Sequence, residues 1–263
     1  MVDLAKAAGL RAVALTDHDT VAGMPEAFAA GVRVGVEVVA GVEVSAAHSP
    51  GSMHILGYYL SPTHPELVAV LEQLQNGRTE RAPKIIHRLK TLGLEITLAE
   101  VLALASGQVG RAHIAQVLVN RGYMDSVSEA FDRYLKKGRP GYVDRLRPPA
   151  EETISAFRRA GGLAVLAHPA SLALDEPRGV SALVERLKAM GLEGIEAFSP
   201  YHTREMTAAF RDMARRYGLL CTGGSDFHGG FKDRADLGAA GGGLHVPYAV
   251  LEGLKERIGG IKP

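Results

Sequence analysis

The sequence contains a single cysteine, Cys221, among 263 residues. One thiol can build neither a disulfide framework nor a cysteine-ligated zinc site, and it fits a reducing compartment, so a cytoplasmic location is expected. No run approaches ~18 consecutive apolar residues, which excludes a membrane-spanning helix. Neither sign of charge is in excess: 30 Lys+Arg against 29 Asp+Glu leave a formal net charge of +1. Bulk charge therefore cannot drive nucleic-acid binding, and any phosphate recognition must come from a local basic cluster. The opening Met1-Val-Asp-Leu-Ala-Lys6 lacks the pattern of a secretory signal peptide. No internal repeat is evident, and nothing implies a stable protein partner. What remains is ordinary globular material, 46% hydrophobic and 22% charged, long enough for roughly one or two domains.

Short apolar runs alternate with helical patterns. Strands are predicted at Val13–Asp17, Val38–Ser45, Met53–Leu60, Leu163–Ala167, Gly194–Phe198 and Leu220–Gly223. Helices fall between them at Pro25–Gly31, Ala150–Ala160, Val180–Met190, Thr203–Tyr217 and Tyr248–Arg257. Such alternation is that of an α/β barrel or layered sheet. Val2, Leu4, Ala7 and Ala8 have helical spacing, with no capping residue ahead of them, so the chain opens inside a helix that feeds a strand. That is half of a βαβ unit whose preceding strand is not in the sequence. The alternation fails over 64–148, where helices are predicted at Glu66–Leu74, Arg81–Leu92, Leu98–Ala105, Ala112–Asn120 and Val127–Lys136. Thr97 with Glu100, and Ser126 with Glu129, have the spacing of capping boxes. This gives a helical insertion at 64–148 between two parts of one α/β domain, 1–63 and 149–263, packed over one end of it. Gly238–Gly243 is glycine-rich without the spacing of a phosphate-binding fingerprint.

The polar residues of interest stand at the ends of the apolar strands. His18 lies in Thr16-Asp-His-Asp19, Glu43 in Ala40-Gly-Val-Glu-Val-Ser45, and His54 in Met53-His-Ile-Leu-Gly57. His168 ends Ala164-Val-Leu-Ala-His-Pro169, and Asp226 and His228 share Gly223-Gly-Ser-Asp-Phe-His-Gly229. Catalytic groups of parallel α/β folds gather at the carboxyl ends of strands. Any one of these motifs could be a satisfied turn or core histidine. A charge such as Glu43 on an apolar strand is costly unless paired or metal-bound. Four histidines, one Glu and one Asp converging there would offer nitrogen and oxygen ligands to zinc, manganese or iron.

The series Thr16-Asp-His-Asp19, Gly41-Val-Glu43, His54-Ile-Leu-Gly-Tyr58, Ala167-His-Pro169 and Ser225-Asp-Phe-His228 resembles the PHP (polymerase and histidinol phosphatase) metallophosphoesterases. Val109-Gly-Arg-Ala-His-Ile-Ala115, Ser128-Glu-Ala-Phe-Asp-Arg-Tyr-Leu135 and Gly138-Arg-Pro-Gly-Tyr142 are similar to the subgroup of 3',5'-nucleoside bisphosphate phosphatases and 5'-3' exoribonucleases. The resemblance implies a distorted (β/α)7 TIM-like barrel with a helical insertion and two or three divalent ions, manganese first and iron or zinc as the alternatives. It implies that His18, Glu43, His54, His168, Asp226 and His228 are metal ligands. Glu43 would bridge two ions and hold one of them with His54 and His168; Asp226 would serve a second, and His18 with His228 a third. The implied activity is phosphate release from nucleoside 3',5'-bisphosphates or short 5'-phosphorylated oligoribonucleotides. In that chemistry His18, His228 and Asp226 are the candidate catalytic residues, with His18 or His228, if not saturated by metal binding, passing a proton to the leaving oxygen.

Arg111 and His113, at the start of a predicted helix, are the candidates for a second, non-scissile phosphate, because a guanidinium fork and a helix N-terminus both suit phosphate oxygens. Lys136, Lys137 and Arg139 form a second basic cluster. His202, in Phe198-Ser-Pro-Tyr-His-Thr203, is placed on the same rim and is a further substrate contact. One departure stands out: the family opens with a His-x-His pair on its first strand, which family spacing puts about twenty residues ahead of Met1. The expectation is therefore a late start or a trimmed chain, short of one barrel strand and of ligands for two ions. The alternatives are a histidinol-phosphate-type monophosphatase, or an inactive PHP scaffold.

Overall fold

The apolar runs become six short strands: β1 (Ala12–Leu15), β2 (Glu37–Ala46), β3 (Met53–Tyr58), β4 (Leu163–Leu166), β5 (Gly194–Phe198) and β6 (Leu220–Gly223). The structure, a computed structural model, describes residues 1–105, 109–144, 147–175, 178–229, 237–238 and 244–260. The strands form one sheet whose spatial order is the chain order, β1 to β6. A doubly wound sheet reverses its order at a switch point; a chain-ordered sheet is how barrel walls are built. β1 and β2, β4 and β5, and β5 and β6 pair in parallel, whereas β3 runs antiparallel to both β2 and β4. Residues 47–52 are too few for a crossover, which needs a dozen or more, so β3 has to fold back on β2. β2 serves two partners in succession: 37–40 pair with β1 and 41–46 with β3.

The helices are α1 (Val2–Ala7), α2 (Met24–Val34), α3 (Pro65–Thr91), α4 (Leu98–Leu104), α5 (Arg111–Asn120), α6 (Val127–Ala130), α7 (Ala150–Arg159), α8 (Arg178–Ala189), α9 (Arg204–Tyr217) and α10 (Ala249–Gly260). Their ends carry the expected chemistry. Thr203 accepts the Met206 N–H at the start of α9, and Gly35, at φ 71°, closes α2 in a left-handed conformation open to glycine at no steric cost. α7 has Glu151 and Glu152 in its first turn and Arg158 and Arg159 in its last, each sign against the opposite end of the helix dipole.

Two compact units result: Met1–Val70 with Arg147–Pro263, and Leu71–Leu146. In the first, Val39, Leu56, Tyr58, Leu163, Val165 and Ala167 of the sheet form one buried cluster with Leu251 and Leu254 of α10. The last described helix thus seals the same apolar interior that the first strands open. In the second unit Ile85, Ile86, Leu89, Ile96, Val101, Ile114, Leu118 and Leu135 form a separate core. Thr97 and Glu100 make the full capping box there. Ser126 accepts the Glu129 N–H, while Glu129 Oε2 reaches back to the Asp125 N–H, one residue earlier than the motif predicts.

Two expectations need correction. The helices predicted at Glu66–Leu74 and Arg81–Leu92 are one helix, α3, which runs through Pro83. A proline there forfeits one ladder bond, yet Leu71, Leu74 and Ala82 before it and Ile85, Ile86 and Leu89 after it are all buried, and their burial holds the helix through the polar stretch. The helix predicted over Val127–Lys136 is α6 followed by a π-helical turn, Phe131–Leu135. The glycine-rich 238–243 lies, after Gly238, outside the described residues.

A polar clasp ties α10 to the start of the sheet. Glu37 on β2 accepts hydrogen bonds from Tyr248 Oη and Lys255 Nζ, both at 2.8 Å, and the Arg11 guanidinium lies 3.8 Å over the Tyr248 ring. Burial works to raise the Glu37 carboxyl, but the bonds from Lys255 and Tyr248 and the charges of Lys255 and Arg11 outweigh it and hold it below its ordinary value. A carboxyl lowered on folding stabilises the fold above its unfolded pKa and stops doing so as pH falls through the folded one. E37Q is therefore expected to lower the melting temperature at pH 7, and the deficit should begin to shrink below about pH 4 and vanish as pH falls through the lowered folded value. A deficit that persists unchanged at pH 3 would contradict this account of the clasp.

Candidate metal centre

The site is assembled by backbone pairing before any side chain takes part. Beyond the end of β1 the chain keeps bonding to β2: the Glu43 N–H donates to the Asp17 carbonyl at 3.1 Å, and the Asp19 N–H donates to the Glu43 carbonyl at 2.9 Å. This bridge sets His18 beside Glu43. Asp19 adopts φ 58°, costly for a non-glycine residue, and is 1% exposed. Across the β2–β3 ladder Ser45 faces His54 and Glu43 faces Leu56, so His54 emerges on the same sheet face as Glu43, one step beyond the apolar interior. His168 follows β4, and Asp226 and His228 follow β6. Both His168 and Asp226 have left-handed backbones, at φ 22° and 50°.

Three imidazoles converge on one carboxylate. His54 Nδ1 is 2.6 Å and His168 Nε2 3.2 Å from Glu43 Oε1, and His18 Nδ1 is 3.5 Å from Oε2. The donor atoms of His18, Glu43 and His54 all lie within 4.8 Å of one another. The His54 ring stands 5.2 Å from His18 and 5.1 Å from His168, centre to centre, and His228 stands 6.1 Å from His18. His228 Nδ1 is 2.7 Å from the Asp226 carbonyl and 3.4 Å from Asp226 Oδ1. Tyr201 Oη donates to Asp226 Oδ2 at 2.6 Å.

Neighbouring groups fix which ring nitrogens face the centre. Ser171 Oγ donates to the Ser52 carbonyl at 2.9 Å, so its lone pair accepts from His168 Nδ1 at 3.0 Å. The proton is thereby held on Nδ1, and Nε2 faces Glu43. His228 likewise donates Nδ1–H to the Asp226 carbonyl. A set of imidazole nitrogens and carboxylate oxygens around one buried acid fits a borderline divalent cation.

Electrostatics follow from the burial. Glu43 is 5% exposed. Burial would raise its carboxyl, but the His18 charge and the bonds from His168 and His54 hold it well below the usual range. Burial alone would lower the His168 imidazole; the Glu43 bond and the charges of Glu196, Glu43 and Asp226 push it up to about 9. Glu196, also buried, goes the other way: desolvation and the charges of Glu43 and Asp226 outweigh His168 and push it up to about 7.

The six residues singled out as ligands are thus brought together: His18, Glu43, His54 and His168 in direct contact, His228 against His18, and Asp226 against His228. Arg111 and His113 belong to the Leu71–Leu146 unit. Arg111 Nη1 donates to the Leu135 carbonyl at 2.8 Å, and His113 Nδ1 accepts the Gly110 N–H at 3.1 Å, so Nε2 carries the ring proton. His202 donates Nδ1–H to the Ala197 carbonyl at 2.9 Å and packs on Phe210, with Nε2 buried. Burial lowers both the His113 and the His202 imidazole.

Sequence reading missed Glu196, whose Oε2 accepts the His168 N–H at 2.7 Å. The signal was available, since a lone acid in apolar Gly194-Ile-Glu-Ala-Phe198 is the same anomaly that drew attention to Glu43. The Tyr201 bond to Asp226 carried no comparable signal.

The pattern of the PHP domain matches residues 1–143. A Haemophilus influenzae protein named 5'-3' exoribonuclease is 34% identical over 87% of this chain and 83% of its own. A Chromobacterium violaceum protein named 3',5'-nucleoside bisphosphate phosphatase is 34% identical over 90% of this chain and 84% of its own. An Eggerthella lenta protein named phosphoribosyl 1,2-cyclic phosphate 1,2-diphosphodiesterase is 36% identical over 85% of each chain. Among solved structures, an amidohydrolase from Chromobacterium violaceum, with bound sulfate and no metal, superposes with a TM-score of 0.86 at 32% identity, over 97% of this chain and 89% of that one.

The charge balance is open to test without a metal. In E43Q the neutral amide removes the charge that raises His168 most directly. Its imidazole should then titrate at least about one unit lower than in the parent, followed by ring 15N shifts in metal-free protein. An unchanged titration would show that Glu43 does not set the charge of the cluster.

Proposed function

The chain belongs to the PHP domain family and is a metal-dependent phosphoric ester hydrolase; on that premise we propose that it releases phosphate from nucleoside 3',5'-bisphosphates or short 5'-phosphorylated oligoribonucleotides. The observation that carries the reading is the buried Glu43 carboxylate with three imidazoles turned onto it. The sheet is read as the wall of a distorted (β/α)7 barrel, and 64–148 as its helical insertion. The enzyme would act in the cytoplasm on small nucleotides or short RNA; no described helix is long and apolar enough to cross a membrane.

Glu43 would bridge two cations and share one with His54 and His168, Asp226 would serve a second, and His18 with His228 a third. Manganese is the first candidate, and iron and zinc are the others. Divalent ions bound there would supply an acidified water at neutral pH and positive charge against the phosphoryl oxygens. The protein's own groups do the rest. Ser171 keeps the His168 proton on Nδ1 and so presents Nε2. Asp226, held by Tyr201 Oη, keeps its carboxylate in one orientation. His18 or His228, where not saturated by metal binding, would pass a proton to the leaving ribose oxygen.

Arg111 and His113 would hold the second phosphate: the guanidinium fork suits its oxygens, and His113 offers an Nε2–H donor. His202, on the loop after β5, is a candidate substrate contact, although its Nε2 is buried in this structure. The sulfate in the Chromobacterium violaceum relative supports oxyanion binding in this fold.

Two experiments check the proposal. Phosphate release with added manganese should be fastest on the bisphosphate or a short 5'-phosphorylated RNA, and chelation should abolish it. R111A should raise KM for the bisphosphate about tenfold or more and leave a monophosphate nearly unaffected, since the guanidinium–phosphate pair contributes on the order of 1.5–3 kcal/mol. Equal losses on both substrates would return the assignment to a monophosphatase.

The second test uses protons. An imidazole near 9 is protonated at pH 8, and that proton must leave before Nε2 can bind a cation. Manganese uptake at pH 8 should therefore release protons, and affinity should weaken as pH falls. Calorimetry in buffers of different ionisation enthalpy measures both, and uptake without proton release would contradict a protonated His168 that gives up its proton to the cation.

A further inference from the structure

Glu196 is a buried acid of the centre that the proposed mechanism leaves without a role. It sits on β5, opposite Thr222 of β6, and is 5% exposed. Its Oε2 accepts the His168 backbone N–H at 2.7 Å, at the residue whose φ of 22° is least natural for an L-amino acid. Its Oε1 lies against the other ligand-bearing loop: a Cβ added to Gly224, two residues ahead of Asp226, would stand 3.0 Å from it. β5 and β6 slip in register between Glu196 and Phe198, and a Cβ on Gly223 would come within 2.5 Å of Phe198 Cβ. Such an irregularity beside a site re-aims the chain that leaves the strand.

We infer that Glu196 is a positioning residue, a spacer whose two oxygens set the His168 loop and the Asp226 loop at a fixed separation, so that cations held by the two loops sit in register. The inference rests on the metal-centre reading of the preceding section. Glu196 contributes no ligand in it. It acts through the His168 backbone on one side and the Gly224 backbone on the other. Glutamine keeps both the length and a carbonyl acceptor for the His168 N–H, whereas alanine removes both. Alanine at 224 leaves Glu196 chemically intact and pushes on its carboxyl.

The test has a metal-free and a metal-loaded arm. In metal-free protein, hydrogen exchange of the His168 amide should accelerate about tenfold or more in E196A and stay within about threefold in E196Q. Manganese titration followed by EPR of the free ion should show at least about tenfold weaker binding in E196A and G224A, and near-parent binding in E196Q, the size of effect that loss of an orienting partner produces. Adding G224A to E196A should cost little more, because the carboxyl that alanine pushes on is gone. An E196A protein with unchanged His168 exchange and unchanged manganese affinity overturns the inference. E196Q as impaired as E196A overturns it too, since charge rather than position would then be at stake. Should E196A not fold, G224A decides: parent-like manganese binding contradicts the spacer role. Failure of the parent protein to bind manganese would count against the metal centre itself, and the hydrogen-exchange arm would still judge the spacer.

Discussion

A carboxylate out of reach of water stays ionised only where positive charge or hydrogen-bond donors replace its hydration. Glu43 is such a group, and its surroundings consist of imidazoles from three separate places in the chain: the loop after β1, the start of β3 and the loop after β4. Removing any one of them leaves part of the negative charge uncompensated. The rest of the architecture can be read as the means of bringing those imidazoles there. In the metal-free protein a proton on His168 offsets part of the acid's charge: their contact pushes His168 up and helps hold Glu43 down. A cation of higher charge in the same place relieves the same debt without protons, so a cluster built this way is already selective for something positive.

Backbone geometry makes the convergence possible. The β1–β2 pairing continues past the strand end through Asp17, Asp19 and Glu43, and a return strand rather than a parallel one places His54 on the Glu43 face. Left-handed backbones occur at Asp19, His168 and Asp226, in three of the ligand-bearing segments. Each costs on the order of 1–3 kcal/mol. That cost is offset by the apolar interior beneath, where Leu56, Tyr58, Val165 and the α10 residues Leu251 and Leu254 are packed together. Strain at the rim and stability in the core are thus divided between layers of the same strands.

Much of this was legible in the sequence because the strands are short and apolar and are interrupted or followed by His, Asp or Glu, an abrupt change of chemistry that needs no long-range information to notice. The six convergent residues all carried that mark. So did Glu196, which was passed over because no motif surrounds it. The reversal of β3 was also legible in the brevity of 47–52. Other features were not. The continuity of α3 through Pro83 depends on burial of Leu71 and Leu74 on one side and Ile85 and Leu89 on the other, a tertiary effect that outweighs the local propensity of a polar, glycine-containing stretch. The Tyr201 contact with Asp226 joins loops from two different strands, and the choice of ring nitrogen on His168 depends on a serine that is itself committed to the Ser52 carbonyl. Contacts of that kind are decided by three-dimensional register alone.

The most direct measurement of the central claim is anomalous diffraction, at the manganese edge, from crystals of the protein soaked in manganese. The account predicts anomalous peaks within coordination distance of Glu43, one of them shared with His54 and His168. Well-ordered Glu43, His54 and His168 side chains with no peak between them, in crystals that bind manganese elsewhere, would contradict it.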